Sequence, residues 1–222
     1  EYSTCGVGDF RLPSLELEPG DGSRLSDLRY ESARRLPGKY SLPGLPAFFG
    51  GEEWETLVVT LTDTATQTQV ELLYGVLAER DLITRAARIT NRGSRQLHLR
   101  QAASLCLDFS GPMDFITLDG CHVMDRQLNR APLRMGVQSV GSARGTSSHH
   151  HNPFVILCEE SAGEEQGLCI GAALLYSGNF QATAEVDQFP NSRLVMGLNP
   201  YQFSWTLEPG MTFTAPEAAM VC

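Results

Sequence analysis

The stretch that most constrains the fold runs from Glu185 to Ala218, EVDQFPNSRLVMGLNPYQFSWTLEPGMTFTAPEA. Short apolar and polar residues alternate through Arg193 to Gly197, Gln202 to Leu207 and Met211 to Thr214, and Asn199-Pro200 and Glu208-Pro209-Gly210 interrupt them. A two-residue period sends successive side chains to opposite faces of a strand, and Pro and Gly halt a strand ladder. The stretch therefore reads as strand, turn, strand, turn.

The same rhythm fills most of the chain. A first strand is expected at Leu15 to Glu18, reversed by Pro19-Gly20-Asp21-Gly22. Leu25 to Leu36 fits one helical face through Leu25, Leu28, Ser32 and Leu36, but the β-type punctuation around it favours a strand. Pro37 to Gly51, with three prolines and four glycines, is a loop. Trp54 to Thr62 follows as a strand with Leu57, Val59 and Leu61 on one face and Thr56, Val58 and Thr60 on the other. Asp63 to Thr66 turns it into Gln67 to Leu77, where Val70, Leu72 and Tyr74 share a face.

A second pair, Leu82 to Thr90 and Gln96 to Phe109, is joined by Asn91-Arg92-Gly93-Ser94, whose Asn and Gly tolerate left-handed backbone. Phe115 to Leu118 and Cys121 to Leu128 read as a hairpin around Asp119-Gly120. Regularity fades from Arg134 to Asn152, and strands resume at Phe154 to Cys158, Leu168 to Tyr176 and Gln181 to Val186. Glu159 to Gly167 is an acidic, solvated connection. A dozen or more strands with almost no helix imply two large stacked antiparallel sheets.

At 222 residues a chain can bury roughly 70% of its unfolded surface and needs neither disulfide nor metal to hold a core. One large all-β domain spanning residues 1–222 is the expectation. The net charge of −9 argues against nucleic acid and anionic membranes, which demand basic patches. The one positive cluster, Arg34-Arg35 with Lys39, reads as a solvated face. No apolar run approaches the roughly 18 residues that span a bilayer, and the chain opens on Glu1 as if in mid-sequence. The six cysteines, at 5, 106, 121, 158, 169 and 222, lack CxxC spacing and read as reduced thiols of a cytoplasmic protein, with disulfides or a zinc site as the lesser alternatives. Cys106 and Cys158 sit in apolar strands as small hydrophobes.

Particular words add to the rhythm. GDFRLPS at Gly8 to Ser14, DGSRLSDLRY at Asp21 to Tyr30, LPGLPA at Leu42 to Ala47 and ETLVVTLTD at Glu55 to Asp63 occur in order. ITRAARITNRG at Ile83 to Gly93, GTSSHHHNPF at Gly145 to Phe154, LLYSGNF at Leu174 to Phe180, MGLNPYQFSW and LEPGMTFTAPEA complete the series. In this order and at these separations the chain resembles the N-terminal β-domain of bacterial α-galactosidases of glycoside hydrolase family 36. The resemblance implies a β-supersandwich of the galactose mutarotase kind.

It also implies a division of labour. In that family a (β/α)8 barrel, following the supersandwich in the chain, hydrolyses terminal α-galactosyl bonds of sugars such as melibiose and raffinose. Two barrel aspartates act as nucleophile and general acid/base, and neither has a counterpart here. The implied partners are the barrel of the same chain and, as in tetrameric members, further copies; galactoside substrate is met only through the full enzyme. No cofactor is implied.

The residues that attract chemical attention have plainer uses. His149-His150-His151 could hold a metal, but no Cys or Asp stands beside them at ligand spacing, so a loop braced by imidazole hydrogen bonds is preferred. Ser147 and Ser148 beside His149 lack a GxSxG elbow. Asp108, Asp114, Asp119 and Asp125 supply carboxylates, with Asp114 and Asp119 read as turn-forming and solvated. Trp54 and Trp205 fall in strand patterns and default to core packing. Gly141 to Asn152 reads as an internally braced loop, with contact to the barrel or another subunit as the competing use. No catalytic, cofactor-binding or metal-ligating residue is assigned. The alternative is a self-sufficient mutarotase-like epimerase or sugar-binding module, which would need a histidine and a carboxylate converging in a concave sheet, from His98, His122 or His149 to His151.

Overall fold

The computed structural model describes residues 2–5 and 8–222, so positions 1, 6 and 7 of the expected polar lead-in lie outside the described residues. Two antiparallel sheets carry the fold, as expected. The first runs in the order β1 (Leu15–Glu18), β6 (Leu97–Ser110), β13 (Asn191–Leu198), β12 (Phe180–Val186) and β9 (Gly136–Ser142), with β14 (Trp205–Leu207) also paired to β6. The second begins β2 (Arg29–Pro37), β3 (Glu55–Asp63), β4 (Thr68–Leu77), β5 (Leu82–Asn91) and β16 (Ala218–Val221). It continues through β11 (Cys169–Leu174), β10 (His151–Glu159), β7 (Met113–Cys121) and β8 (Met124–Pro132), and β15 (Thr212–Thr214) also pairs with β5. A single 3-10 turn, Ala78–Arg80, is the one helical element among the described residues.

The alternation explains the stacking. Leu15, Leu17, Leu97 and Leu99 of the first sheet meet Val70, Leu72 and Ile89 of the second. Farther along, Leu105, Phe180, Leu194 and Met196 meet Leu157 and Leu174. These side chains are buried because every second residue of each strand faces the opposing sheet. Arg85 also projects inward from β5. Its guanidinium lies between the rings of Tyr2 and Tyr74, at 5.5 and 5.3 Å, and donates to the Cys106 carbonyl of the facing sheet at 2.9 Å.

The hairpin β3–β4 and the pair β5–β6 fall where the alternation puts them. Arg29–Pro37 is a strand, and its fully exposed, arginine-rich edge suits a sheet margin. Other expectations need correction. Asp119-Gly120 is no turn: both residues belong to β7, and the chain reverses two residues later, where Cys121 pairs with Met124. The register slips between Asp119 and Cys121, and a Cβ on Gly120 would stand 2.2 Å from the Met124 carbonyl oxygen. Gly120 thus serves a close approach of two strands rather than a bend. The supposedly irregular Arg134 to Asn152 contains β9, which pairs with β12 along its whole length.

The glycine-rich stretch after β2 is more than a connection. Tyr40, Leu42, Leu45 and Ala47 pack on Val58, Leu73 and Ala86, covering the outer face of the second sheet. Hence the Thr56, Val58 and Thr60 side of β3 is buried, while Leu57, Val59 and Leu61 on the opposite side are half-buried. Lys39, the chain's only lysine, is not on a solvated basic face with Arg34 and Arg35. Its side chain is 1% exposed and its ammonium bonds the fully buried carboxylate of Glu217. The ammonium stands 3.2 Å from the centre of the Tyr40 ring, and the second Glu217 oxygen accepts the Phe48 amide at 2.6 Å. One buried ion pair therefore fastens the covering loop to the residue just before β16.

Candidate functional site

The surface between β9 and β10 gathers most of the polar residues singled out in the sequence. From Ser142 the chain leaves the first sheet, and by His151 it has joined the second. The connecting loop is tied to the β11–β12 connection and to the Ser142 side chain. Gly145 donates to Asn179 Oδ1 at 2.6 Å, Ser147 donates to the Ser177 carbonyl at 2.8 Å, and Ser142 Oγ donates to the Thr146 carbonyl at 2.7 Å. Asn199 Nδ2 donates to the Ser142 carbonyl at 3.0 Å, tying in the LNP turn. These bonds brace Gly141 to Asn152 within the domain.

At the loop's end, His151 Nδ1 lies 2.6 Å from Asp119 Oδ1. The other carboxylate oxygen accepts Thr117 Oγ1 at 2.6 Å and Asn129 Nδ2 at 2.7 Å. The strands explain the meeting: His151 stands opposite Asp119 in the β10–β7 register, and Asp119 opposite Gln127 in β7–β8. Burial alone would raise the Asp119 carboxyl, but the bonds from Thr117, His151 and Asn129 outweigh it and hold the group below its ordinary range. Beside it, the Arg144 charge, burial and the two flanking imidazoles lower the His150 pKa. The rings of His149 and His150 meet edge to face, 4.6 Å apart.

The remaining residues do not converge on this pair. Ser148 Oγ accepts the His150 amide at 3.2 Å, which is a turn contact and gives no activated nucleophile. Asp114, within β7 and buried rather than turn-forming, accepts Arg130 Nε at 2.6 Å. Asp119 also lies within β7, not at a turn. Asp108 receives Arg193 Nε and Nη2 at 2.7 and 2.9 Å; the Arg193 side chain is completely buried and also reaches Asp9 at 2.8 Å. Asp125 is exposed near the β7–β8 turn. His98 contacts Thr206 Oγ1 at 3.4 Å on the first sheet, far along the chain from His122 in the β7–β8 turn. Trp54 is buried as expected, but Trp205 is 46% exposed. No group of three or more His, Cys, Asp or Glu that could hold a metal occurs among the described residues.

The arrangement is one imidazole braced by one carboxylate, with two hydroxyl and amide donors completing the carboxylate's shell. It can fix a loop and relay a hydrogen bond. Sequence reasoning singled out both partners without pairing them, because their meeting depends on the β7–β10 register. Asp119→Ala should lower stability by about 1–3 kcal/mol, the range for hydrogen bonds to a charged group. Because the folded-state pKa is depressed, this contribution is complete above the ordinary carboxylate value and fades as pH falls below about 4. Urea midpoints of the two proteins should therefore converge on acidification.

Residues 1–208 match the model of the glycosyl hydrolase family 36 N-terminal domain. This chain belongs to that family. The family 36 domain is 46% identical over 99% of its length to the bifunctional α-galactosidase/sucrose kinase AgaSK of Mediterraneibacter gnavus, and covers 24% of that protein. It is 42% identical to the α-galactosidase AgaA of Geobacillus stearothermophilus and covers 31% of it. The crystal structure of AgaA superposes with a TM-score of 0.97 over 99% of this chain and 31% of that one. A variant of AgaA has been solved in complex with raffinose, and superposes equally well. This chain thus spans about a quarter to a third of the length of these curated relatives.

Proposed function

We propose that the family 36 domain is the non-catalytic N-terminal part of a retaining α-galactosidase that hydrolyses terminal α-D-galactosyl residues of oligosaccharides such as melibiose and raffinose. Bond cleavage belongs to a (β/α)8 barrel beyond these residues, where two aspartates divide the roles of nucleophile and acid/base. The observation that carries this reading is the full-length superposition on one third of an α-galactosidase at a TM-score of 0.97 and 42% identity.

The domain's own task in this reading is support of the barrel and of oligomer assembly. Phe10, Met135 and Phe189 are 95%, 76% and 70% exposed and rim one groove of the described surface, which favours a covered position in a larger assembly. A cytoplasmic setting belongs to the same reading, supported by the six free thiols.

The test is hydrolysis of a chromogenic α-galactoside by the isolated chain and by the same chain joined to the remainder of its parent protein. The isolated chain should release no galactose above background, and the joined protein should turn the substrate over. Turnover by residues 1–222 alone, or failure of a well-folded joined protein to cleave α-galactosides, overturns the proposal.

A further inference from the structure

Cys158 and Cys169 were placed in the sequence as separate thiols, yet the β10–β11 register sets them directly opposite each other. In an antiparallel ladder, opposed residues alternate between pairs that exchange backbone hydrogen bonds and pairs that do not, and the second kind brings the side chains closer. The Glu159 amide donates to the Leu168 carbonyl at 3.0 Å. That bond belongs to the neighbouring pair, so Cys158 and Cys169 form a non-hydrogen-bonded pair. Such pairs hold their Cα atoms about 4.5 Å apart, inside the range that a disulfide bridges. Directly opposed strand residues project to the same face, and both cysteines belong to one small apolar cluster with Ile116, Ile156 and Ala162.

The surroundings differ in a way that orders the chemistry. Cys158 is completely buried, whereas Cys169 is partly exposed. Burial pushes the Cys158 thiol up, and the neighbouring Arg130 guanidinium works against that. Arg130 is fixed there, donating to Asp114 at 2.6 Å and to the carbonyls of Ala162, Glu159 and Glu160 at 2.7, 3.0 and 3.0 Å. Its charge lies near both sulfurs. The same contacts hold the chain between the two cysteines folded back over Cys158, with Ala162 buried against it.

We propose that Cys158 and Cys169 are a thiol–disulfide exchange site that closes a cross-strand disulfide when met by an oxidised low-molecular-weight thiol such as glutathione disulfide. The Cys169 thiolate attacks one sulfur of the small disulfide, forming a mixed disulfide and expelling one thiolate. The Cys158 thiolate then attacks the Cys169 sulfur, the protein disulfide forms, and the second small thiolate leaves. Two electrons pass from the protein to the small disulfide, and the two protons lost by the cysteines are taken up by the two released thiols or by buffer. The bridge joins strands already paired, so the sheet need not rearrange. It would pin the acidic connection between β10 and β11 at its base.

The experiment incubates the native chain in a glutathione disulfide-rich buffer, blocks remaining thiols under denaturing conditions and maps peptides without reduction. The expected result is a linked peptide pair containing Cys158 and Cys169, with a mass loss of about 2 Da at that pair. The exposed Cys121 and Cys222 should instead carry glutathione, showing that the oxidant acted. Cys158→Ala should leave Cys169 as the glutathione adduct, and Cys169→Ser should leave Cys158 open to alkylation. Oxidised wild type should also show a higher urea midpoint than reduced wild type. A wild type in which Cys169 stays glutathionylated, or in which both thiols remain alkylatable while Cys121 is modified, overturns the proposal. Should either substitution unfold the chain, the map of the wild type decides alone.

Discussion

Glu217→Ala is expected to destabilise the fold by about 3–5 kcal/mol, the range for breaking a buried ion pair from one side. The substitution strands the Lys39 ammonium against the Tyr40 ring with its counter-charge gone, and it leaves the Phe48 amide without the oxygen that now accepts it at 2.6 Å. Urea denaturation of the two proteins measures the difference. The paired change Lys39→Met with Glu217→Leu should recover most of the loss, because two apolar side chains remove the uncompensated charge together with its partner. A loss below about 1 kcal/mol for Glu217→Ala would mean that water reaches the ammonium, since only then does an exposed pair contribute so little.

A chain ended at Gly210 should fail more completely. It retains every residue matched to the family model, which covers 1–208, yet it lacks β15 and β16. β16 is the strand that joins the halves of the second sheet, pairing Ala218 to Val221 with Arg85 to Leu82 on one side and with Leu174 to Gly171 on the other. Its removal exposes two unpaired strand edges where a continuous ladder stood, and open edges invite association between molecules. It also deletes buried Ala215, Ala218 and Ala219 and the Glu217 counter-charge. Size-exclusion chromatography should show association, and amide exchange should be fast through β5 and β11. A monomeric 1–210 chain with the cooperative unfolding and midpoint of 1–222 would show that the two halves hold together without the bridge.

The contrast between what the sequence revealed and what it hid is physical. Hairpins such as β3–β4 were legible because β-branched alternation and the Asp63–Thr66 turn lie within a dozen residues of each other. β16, AAMV, carries little side-chain signal of its own, and it forms a strand because β5 and β11 offer it two edges. β9 was hidden for a similar reason: GVQSVGS has few residues with strong strand preference, and its pairing with β12 supplies the order. The family resemblance rested on words, and it carried the architecture correctly where periodicity could only imply two sheets.

Side-chain pairings were least legible. Lys39 and Glu217 are 178 residues apart, and Arg193 and Asp108 are 85 apart. No local pattern links them, and a lone lysine near two arginines looks like a solvated cluster. The His151–Asp119 and Cys158–Cys169 pairs required the register of β10 against its neighbours on both sides. A shift of one residue in either ladder would have turned these side chains to the opposite face.

The burial of Lys39 leaves the folded domain without a side-chain amine on its described surface, since the other basic residues are arginines and histidines. Acylating reagents that seek primary amines have one internal target here, which they meet only when the covering loop lifts from the sheet. The rate at which that single position is tagged would report opening around Glu217 in the unaltered protein, with no fluorophore or engineered probe.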